Sequence, residues 1–426
     1  MIMSTITNVL PRRRVLQGLA AGIAATTICR PAFAVPETIK IGLVGPKTGR
    51  FALFYEEMFY AIDSTLSAMN HSIAINGAVH PLEIVAKDSQ SSPNRASEVA
   101  QELILKDKVH IVTAFATPET VNPVADQCEL NGVPGVSTDA PLEPYFFGRK
   151  GDPKKGFEWT YHFFFSGHGV GEATNKALVR VPTNKKIGVL WPNDTDGRTM
   201  SRVASPGLIE AGLAIVDPGR FDLPASDFTP EISAFKAAGA EIVYSILPGP
   251  DFTIFWNQAA QQDFKPKALI AAKAGEFPQG VYLYSQRATN FLTEVWWSKF
   301  HPFASGLTGQ SSAELAENYE KTTNQQASMA LGFRHSMIEV AVDALKRSQS
   351  LGPDAIRDAL RNTDYKSIVG PINFKKYAFP NVCETKVVMG QWRKGAKWPV
   401  EMVIVDNTFL PEVPAQGAPE PISYVG

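Results

Sequence analysis

Apolar and polar positions alternate between two rhythms along this chain. Short apolar runs at Ile39–Val44, Leu82–Ala86, His110–Thr113 and Val133–Ser137 are closed by turn residues and read as strands. Between them, 55–69, Pro93–Lys106 and Glu119–Asn131 have helical periodicity. In the second of these, Val99, Leu103 and Ile104 share one face, and Pro93 suits a first helical turn. The rhythm then restarts. Strands are predicted at Ile187–Trp191, Leu213–Asp217, Glu241–Leu247 and Ala268–Ala272, with helices at Arg198–Ala211, Pro230–Ala238 and Phe252–Gln262 between them. Strands alternating with helices of this length predict parallel sheets wrapped by helices. Two such α/β units flank the segment Trp159–Gly171. Further on, Met329–Ser348 and Pro353–Asn362 read as helices, and Cys383–Trp392 and Pro399–Val405 as β segments. The proline-containing tail 411–426 reads as extended or mobile.

The first 34 residues are an address, apart from the fold. Arg12, Arg13 and Arg14 precede an apolar run from Val15 to Ile28, and Ala32-Phe33-Ala34 is a small-x-small cleavage site. Paired arginines followed by Val-Leu resemble the twin-arginine type of export signal, with an ordinary Sec signal as the alternative. The run is shorter than the roughly 20 residues of a membrane span. Ile28 before Cys29 is not the small residue that precedes a lipidated cysteine. Cleavage after Ala34 removes four arginines and takes the formal net charge from −1 to −5. A chain of 426 residues with 41 basic and 42 acidic side chains has no basic excess for nucleic acid. Cys128 and Cys383, the two mature cysteines, lie in no metal-ligand or C-x-x-C pattern and read as buried thiols that an oxidising compartment permits to pair.

Catalytic patterns do not emerge. The sequence contains no G-x-S-x-G, H-E-x-x-H or Walker lysine loop. The turn after the first strand, Gly42, Gly45 and Gly49, lacks dinucleotide-loop spacing, and in Gly167–Gly171 the third glycine's place is taken by Glu172. His162 and His168 have no adjacent carboxylate set. The reading is therefore no enzyme, no metal and no cofactor. What remains is a series of small polar and aromatic residues at strand C-termini, where open α/β sheets bind ligands. These are Phe54 after the first strand, Thr117 and Thr120 after the third, and Ser137, Asp139 and Ala140 after the fourth. Their hydroxyls, with the N–H groups of helix N-termini, suit a carboxylate, and Phe54 suits an apolar body. The alternatives are a helix cap for Thr117–Thr120 and a core position for Phe54.

The loops carry a resemblance. IGLVGPKTGRFALFYEEMFYAIDSTLSAMN resembles the opening of the type I periplasmic binding proteins of ABC importers, in the leucine/isoleucine/valine-binding branch. KDSQSSPNRASEVAQELILKDKVHIV, NPVADQCELNGVPGVSTDAP, KKIGVLWPNDTDGRTM and IVYSILPGPDFTIFWNQAAQQDFKP resemble successive stretches of the same family, in order, from about Ile39 to Val405. The resemblance implies two Rossmann-like lobes joined by three hinge crossings, with the ligand cleft between them. It places one lobe at 36–162 plus 289–384, the other at 163–288 plus 385–411, and a tail at 412–426. It implies solute capture by lobe closure and delivery to a cognate permease in the inner membrane, by a periplasmic protein that works as a monomer. Carried over by residue, it adds Phe165, Ser166, Asp194, Pro248, Gly249, Lys273 and Ala274 as second-lobe contacts.

One departure bears on the ligand. Amino-acid binders of the family hold the ligand's ammonium with a glutamate on the loop that here reads AAKAGE. The alignment puts Ala274 there, beside Lys273, with Glu276 two residues on as the alternative acid. An ammonium without its carboxylate is poorly held in a dry cleft, and Lys273 favours an anion. The expectation is a small carboxylate without an amine. Phe54, Phe115, Trp159, Phe163–Phe165 and Trp191 point to an aromatic or bulky apolar acid; branched-chain or other amino acids and amides are the alternatives. A ligand-sensing receptor subunit is the competing function of a different class, and a twin-arginine-exported enzyme a third.

Overall fold

The computed structural model describes residues 36–425; the export signal and its cleavage site lie outside them. Two seven-stranded sheets organise the described residues. In the first, the strands Gly135–Thr138, Ile111–Ala114, Ile39–Gly45 and Ala78–Asp88 run parallel in that order. Thr160–Phe164 and then Val382–Glu384 extend it on one side, and Ser72–Ile75 closes the other. The second is built on Lys186–Leu190, Ile242–Ser245 and Ala268–Ala271, parallel to one another. Ala214–Val216 forms one edge, and Phe291–Val295 leads to the antiparallel hairpin of Val388–Lys394 and Val400–Asp406 at the other. Central strands such as Ile111–Ala114 are buried at every position, which is why they appear as unbroken apolar runs.

The helices start where their side chains supply caps. Ser92 accepts a hydrogen bond from Arg95 N at 3.4 Å ahead of Pro93–Leu105, and Asp194 accepts from Gly197 N at 2.6 Å ahead of Thr195–Glu210. Gly167–Leu178 begins at the glycine cluster, capped by Ser166 through Gly169 N at 2.9 Å. The Gly167 N–H is itself 2.5 Å from Glu143 Oε2. That helix N-terminus is thus occupied by the protein's own carboxylate.

The chain passes between the sheets three times: after Phe164, after Val295 and after Glu384. The strand Phe291–Val295 belongs to the second sheet, so the crossing expected near residue 288 falls after Val295. Its apolar alternation does not reveal which sheet it joins; pairing with Val388–Lys394 does. The tail also departs from expectation. Val413 and Ile422 are buried, Ser423–Tyr424 pairs with Ala288–Thr289, and the Tyr424 hydroxyl donates to Pro266 O at 2.9 Å. Its prolines mask a docked segment whose apolar residues complete the second lobe. Cys128 and Cys383 are buried free thiols. Among the described residues, no helix is long and apolar enough to cross a membrane.

Candidate functional site

The C-terminal ends of both sheets face a common cleft. The first lobe contributes Phe54 from the turn Ala52–Tyr55, Thr117 at the head of Pro118–Asn131, and Asp139 after Gly135–Thr138. The second contributes Asp196 and Met200 from Thr195–Glu210, Tyr244, Lys273 and Glu276 after Ala268–Ala271, and Glu294 and Trp296 at the end of Phe291–Val295. Three lining residues other than glycine have positive φ: Ala116 at 114°, Asp139 at 68° and Lys273 at 64°. Left-handed backbone at such residues is strained and concentrates at binding sites, where it aims a side chain that a relaxed strand end would turn elsewhere. The cavity measures about 30 Å³, room for about one or two waters. Residues of both lobes line it.

Two buried ion pairs occupy opposite walls. Lys273 Nζ lies 2.6 Å from Asp196 Oδ2. Burial pulls the Lys273 ammonium down, but Asp196, Asp194 and Glu119 outweigh it and hold it above the usual lysine range. On the first-lobe side Arg334, fully buried, pairs with Asp139 and donates from Nε to Phe54 O at 2.9 Å. Its guanidinium lies 4.1 Å from the centroid of the Phe115 ring. Burial raises Asp139 above the usual carboxylate range despite this partner.

Two further carboxyls on the cavity wall form no ion pair among the described residues. Glu276 and Glu294 both line the cavity, just beyond and at the end of the neighbouring strands Ala268–Ala271 and Phe291–Val295. Burial, then the charge of Glu294, pushes Glu276 well above the carboxylate range, and burial pushes Glu294 up to about 7. Among the described residues, Glu276 Oε2 and Trp296 Nε1 have no hydrogen-bond partner, and neither have Lys273 Nζ and the two terminal nitrogens of Arg334.

The lobes also touch directly. Glu119 Oε1, in the first lobe, accepts from Thr195 N at 3.1 Å and Asp196 N at 3.4 Å at the start of a second-lobe helix. Burial, then Asp194, raises Glu119 to about 7. Phe54 meets Phe277 of the second lobe edge to face, with centroids 4.7 Å apart.

Of the residues singled out in the sequence, Phe54, Thr117, Asp139, Phe165 and Lys273 line the cavity. The others lie elsewhere. Thr120 Oγ1 donates to Thr117 O at 3.2 Å inside its own helix turn. Ser137 Oγ is 2.8 Å from His162 Nδ1, whose Nε2 is 2.7 Å from Ala140 O, so Ser137 and Ala140 complete a buried histidine network. Ser166 and Asp194 serve as helix caps. Pro248 precedes the helix Gly249–Gln261, and Gly249 O accepts from the Tyr284 hydroxyl at 3.1 Å.

Ala274 is buried in the second-lobe core. The loop coils tightly there, with Ala274 N donating to Ala272 O at 2.8 Å and Gly275 N to Ala271 O at 2.6 Å. That turn sends Glu276 to the cavity in place of Ala274. Lys273, expected as a cation for an anionic ligand, lies against Asp196 as an ion pair.

Among the other candidate aromatics, Phe164 lines the cavity, while Phe115, Phe163 and Trp191 are buried outside its wall and Trp159 lies under Arg357. Arg334, Asp196, Glu294 and Glu119 were not singled out. For Glu294 and Arg334 the signal is a charged residue inside an apolar element, FLTEVWW and ALGFRHSMIEV; Asp196 and Glu119 stand in polar helix starts that carry no such signal.

The model of the periplasmic binding protein family matches residues 38–397. A leucine-, isoleucine-, valine-, threonine- and alanine-binding protein of Pseudomonas aeruginosa is 21% identical over 347 residues, 79% of this chain and 86% of that protein. Among solved structures, a leucine-binding protein from Thermotoga maritima superposes with a TM-score of 0.72 at 19% identity, covering 87% of this chain and 99% of that one. A solute-binding protein from R. palustris in complex with 4-hydroxybenzoate gives a TM-score of 0.70 at 17% identity, covering 86% and 96%.

Proposed function

The chain belongs to the periplasmic binding protein family, and from that premise we propose that it captures a small solute bearing a protonated amine and a bulky apolar body for an ABC importer. The observation that carries the reading is the charge balance of the cleft. Lys273 and Arg334 form ion pairs with Asp196 and Asp139, whereas Glu276 and Glu294 line the cavity and, among the described residues, form no ion pair. A ligand ammonium supplies the missing positive charge in a desolvated site. Phe54, Phe165, Met200 and Trp296 form the apolar wall for the rest of the molecule. On this reading amines and amino acids come ahead of the amine-free carboxylate expected from Lys273.

Solute enters while the lobes are apart. Closure brings Glu276 and Glu294 of one lobe against Phe54 of the other, and seats Glu119 on the second-lobe helix. The closed form then docks on its permease in the inner membrane. The protein acts as a monomer, exported by a twin-arginine signal that is cleaved after Ala34.

The test is a thermal-shift screen of the chain from Val35 onward against amines, amino acids and aromatic carboxylates. A ligand that binds only the folded state raises the melting temperature. Stabilisation by amine-bearing compounds supports the reading. Stabilisation by aromatic carboxylates alone overturns it, and means that Arg334 exchanges Asp139 for the ligand.

A further inference from the structure

Side chains alternate where the chain leaves the second sheet after Val295. Glu294 and Trp296 line the cleft, whereas Val295 and Trp297 line a second cavity. Successive side chains of an extended segment point to opposite faces, so the two cavities lie back to back across this crossing. The rear cavity measures about 210 Å³. An apolar cavity of roughly 150 Å³ holds benzene, so this one has room for a molecule of one or two rings. Both lobes build it. The first gives Phe300, Met329 and, from the helix Ser312–Thr323, Ala316 and Glu320. The second gives Trp392, Trp398 and Met402 of the hairpin formed by Val388–Lys394 and Val400–Asp406. Two contacts tie the lobes beside it: Lys397 Nζ lies 2.6 Å from Glu320 Oε2, and the Tyr282 hydroxyl donates to Gln326 Oε1 at 2.7 Å.

The polar atoms of the wall define the occupant. Trp297 Nε1 donates to Ser312 Oγ and Ile368 O, each at 3.1 Å, and Trp392 Nε1 donates to Gly275 O at 2.6 Å. Trp398 differs: its buried Nε1 has no partner among the described residues. The acceptors are already used. Glu320 Oε1 accepts from Ala327 N at 3.3 Å, and its Oε2 faces Lys397. Glu401 accepts from Ala396 N at 3.4 Å and from Lys397 N at 3.1 Å. Gln416 Oε1 accepts from Ile404 N at 2.9 Å, which leaves its amide nitrogen as a donor. The wall therefore has donors to give, and the occupant brings an acceptor. Lys299 and Lys397 balance Glu320 and Glu401 on the same wall, so the occupant brings no net charge.

We propose that the rear cavity is a second ligand site, for an uncharged flat aromatic molecule carrying a carbonyl acceptor, and that its occupant bridges the two lobes behind the crossing. The carbonyl takes the Trp398 N–H, and the ring lies among the aromatic side chains of the wall. The two cavities share no lining residue, so this site stands independently of the ligand proposed for the cleft.

The experiment is calorimetry of the chain from Val35 onward with two flat bicyclic probes. Coumarin is a neutral lactone with neither amine nor carboxylate, and indole is of similar size with a donor in place of the carbonyl. The expected result is one coumarin per chain, bound about fivefold more tightly than indole. Trp398→Phe keeps a ring and loses the N–H, at a half-buried position that tolerates the change; it should weaken coumarin about fivefold. Hydrogen–deuterium exchange then locates the ligand. Coumarin should slow exchange in 297–300 and 326–329 of the first lobe and in 397–403 of the second. No binding of coumarin, equal binding of indole, or unchanged coumarin affinity in Trp398→Phe overturns the assignment. Protection around Phe54 and 273–276 instead puts coumarin in the cleft and overturns it as well. Protection in one lobe alone overturns the bridge.

Discussion

On the proposed closure of the lobes, Glu119→Ala should weaken ligand binding by removing a contact between them. Glu119 Oε1 takes two backbone N–H groups of the helix Thr195–Glu210, at 3.1 and 3.4 Å. A hydrogen bond to a charged group contributes about 1.5–3 kcal/mol. The second bond is long, and loss of the carboxyl relieves its repulsion by Asp194 and Asp196, so the net cost is put at about 1.5–2 kcal/mol. Binding and closure are one equilibrium, so this cost appears as a Kd raised by roughly ten- to thirtyfold. Asp194 still caps the helix, so the melting temperature of the free protein should move by no more than about 2 °C. Glu119→Gln retains an acceptor oxygen and should cost about threefold. Calorimetry gives the affinities, and small-angle scattering reports whether the variant is more open. A Glu119→Ala protein with unchanged Kd refutes the idea that this contact holds the lobes together.

Three other outcomes are expected. Lys273→Met leaves Asp196 buried without its partner and should cost about 3–5 kcal/mol of stability, most of it recovered in the double variant with Asp196→Asn; a stable single variant contradicts the buried pair. Phe54→Ala should raise Kd by about tenfold through loss of its cleft face and its contact with Phe277, and unchanged affinity removes Phe54 from the site. Stability should rise as pH is lowered from 7.5 towards 5. Glu57, Glu119, Glu294 and Glu339 sit at about 7 in the folded protein, so the stability they favour is full below the ordinary range near 4.5 and is lost as pH rises through 7. His162 and His301, at about 3, and His335, at about 4, act oppositely: their contribution is full above 6.5 and is lost on acidification. Between 6.5 and 7.5 the four glutamates outweigh the three histidines, so a melting temperature that falls over that interval as pH is lowered contradicts the assignment.

The architecture was legible because buried parallel strands are apolar runs and their helices carry one apolar face. IKIGLV, EIVYSIL and Pro93–Lys106 needed no tertiary information. The strand Thr160–Phe164 was hidden, since its run of aromatic residues carries no alternation and lies in the segment between the two α/β units. The site was legible only as a set of strand ends. Phe54, Thr117 and Asp139 follow from that rule, but Ser137, one strand position from Thr138, is drawn away by His162. Orientation on a tight turn is set by φ, and the left-handed Lys273 decides that Glu276 and not Ala274 meets the cavity. Charge pairing was the least visible part. Asp196 and Arg334 lie far in sequence from the partners that neutralise them, and the ligand argument depends on which cation is already taken.

The central claim is that the cleft wants a positive head group. Calorimetry with three ligands that share one phenyl body tests it: phenethylamine, with an ammonium only; L-phenylalanine, with both groups; and 3-phenylpropionate, with a carboxylate only. The account predicts binding of the amine-bearing compounds and none of 3-phenylpropionate. Binding of 3-phenylpropionate alone would contradict it and return the site to the anion that Lys273 first implied.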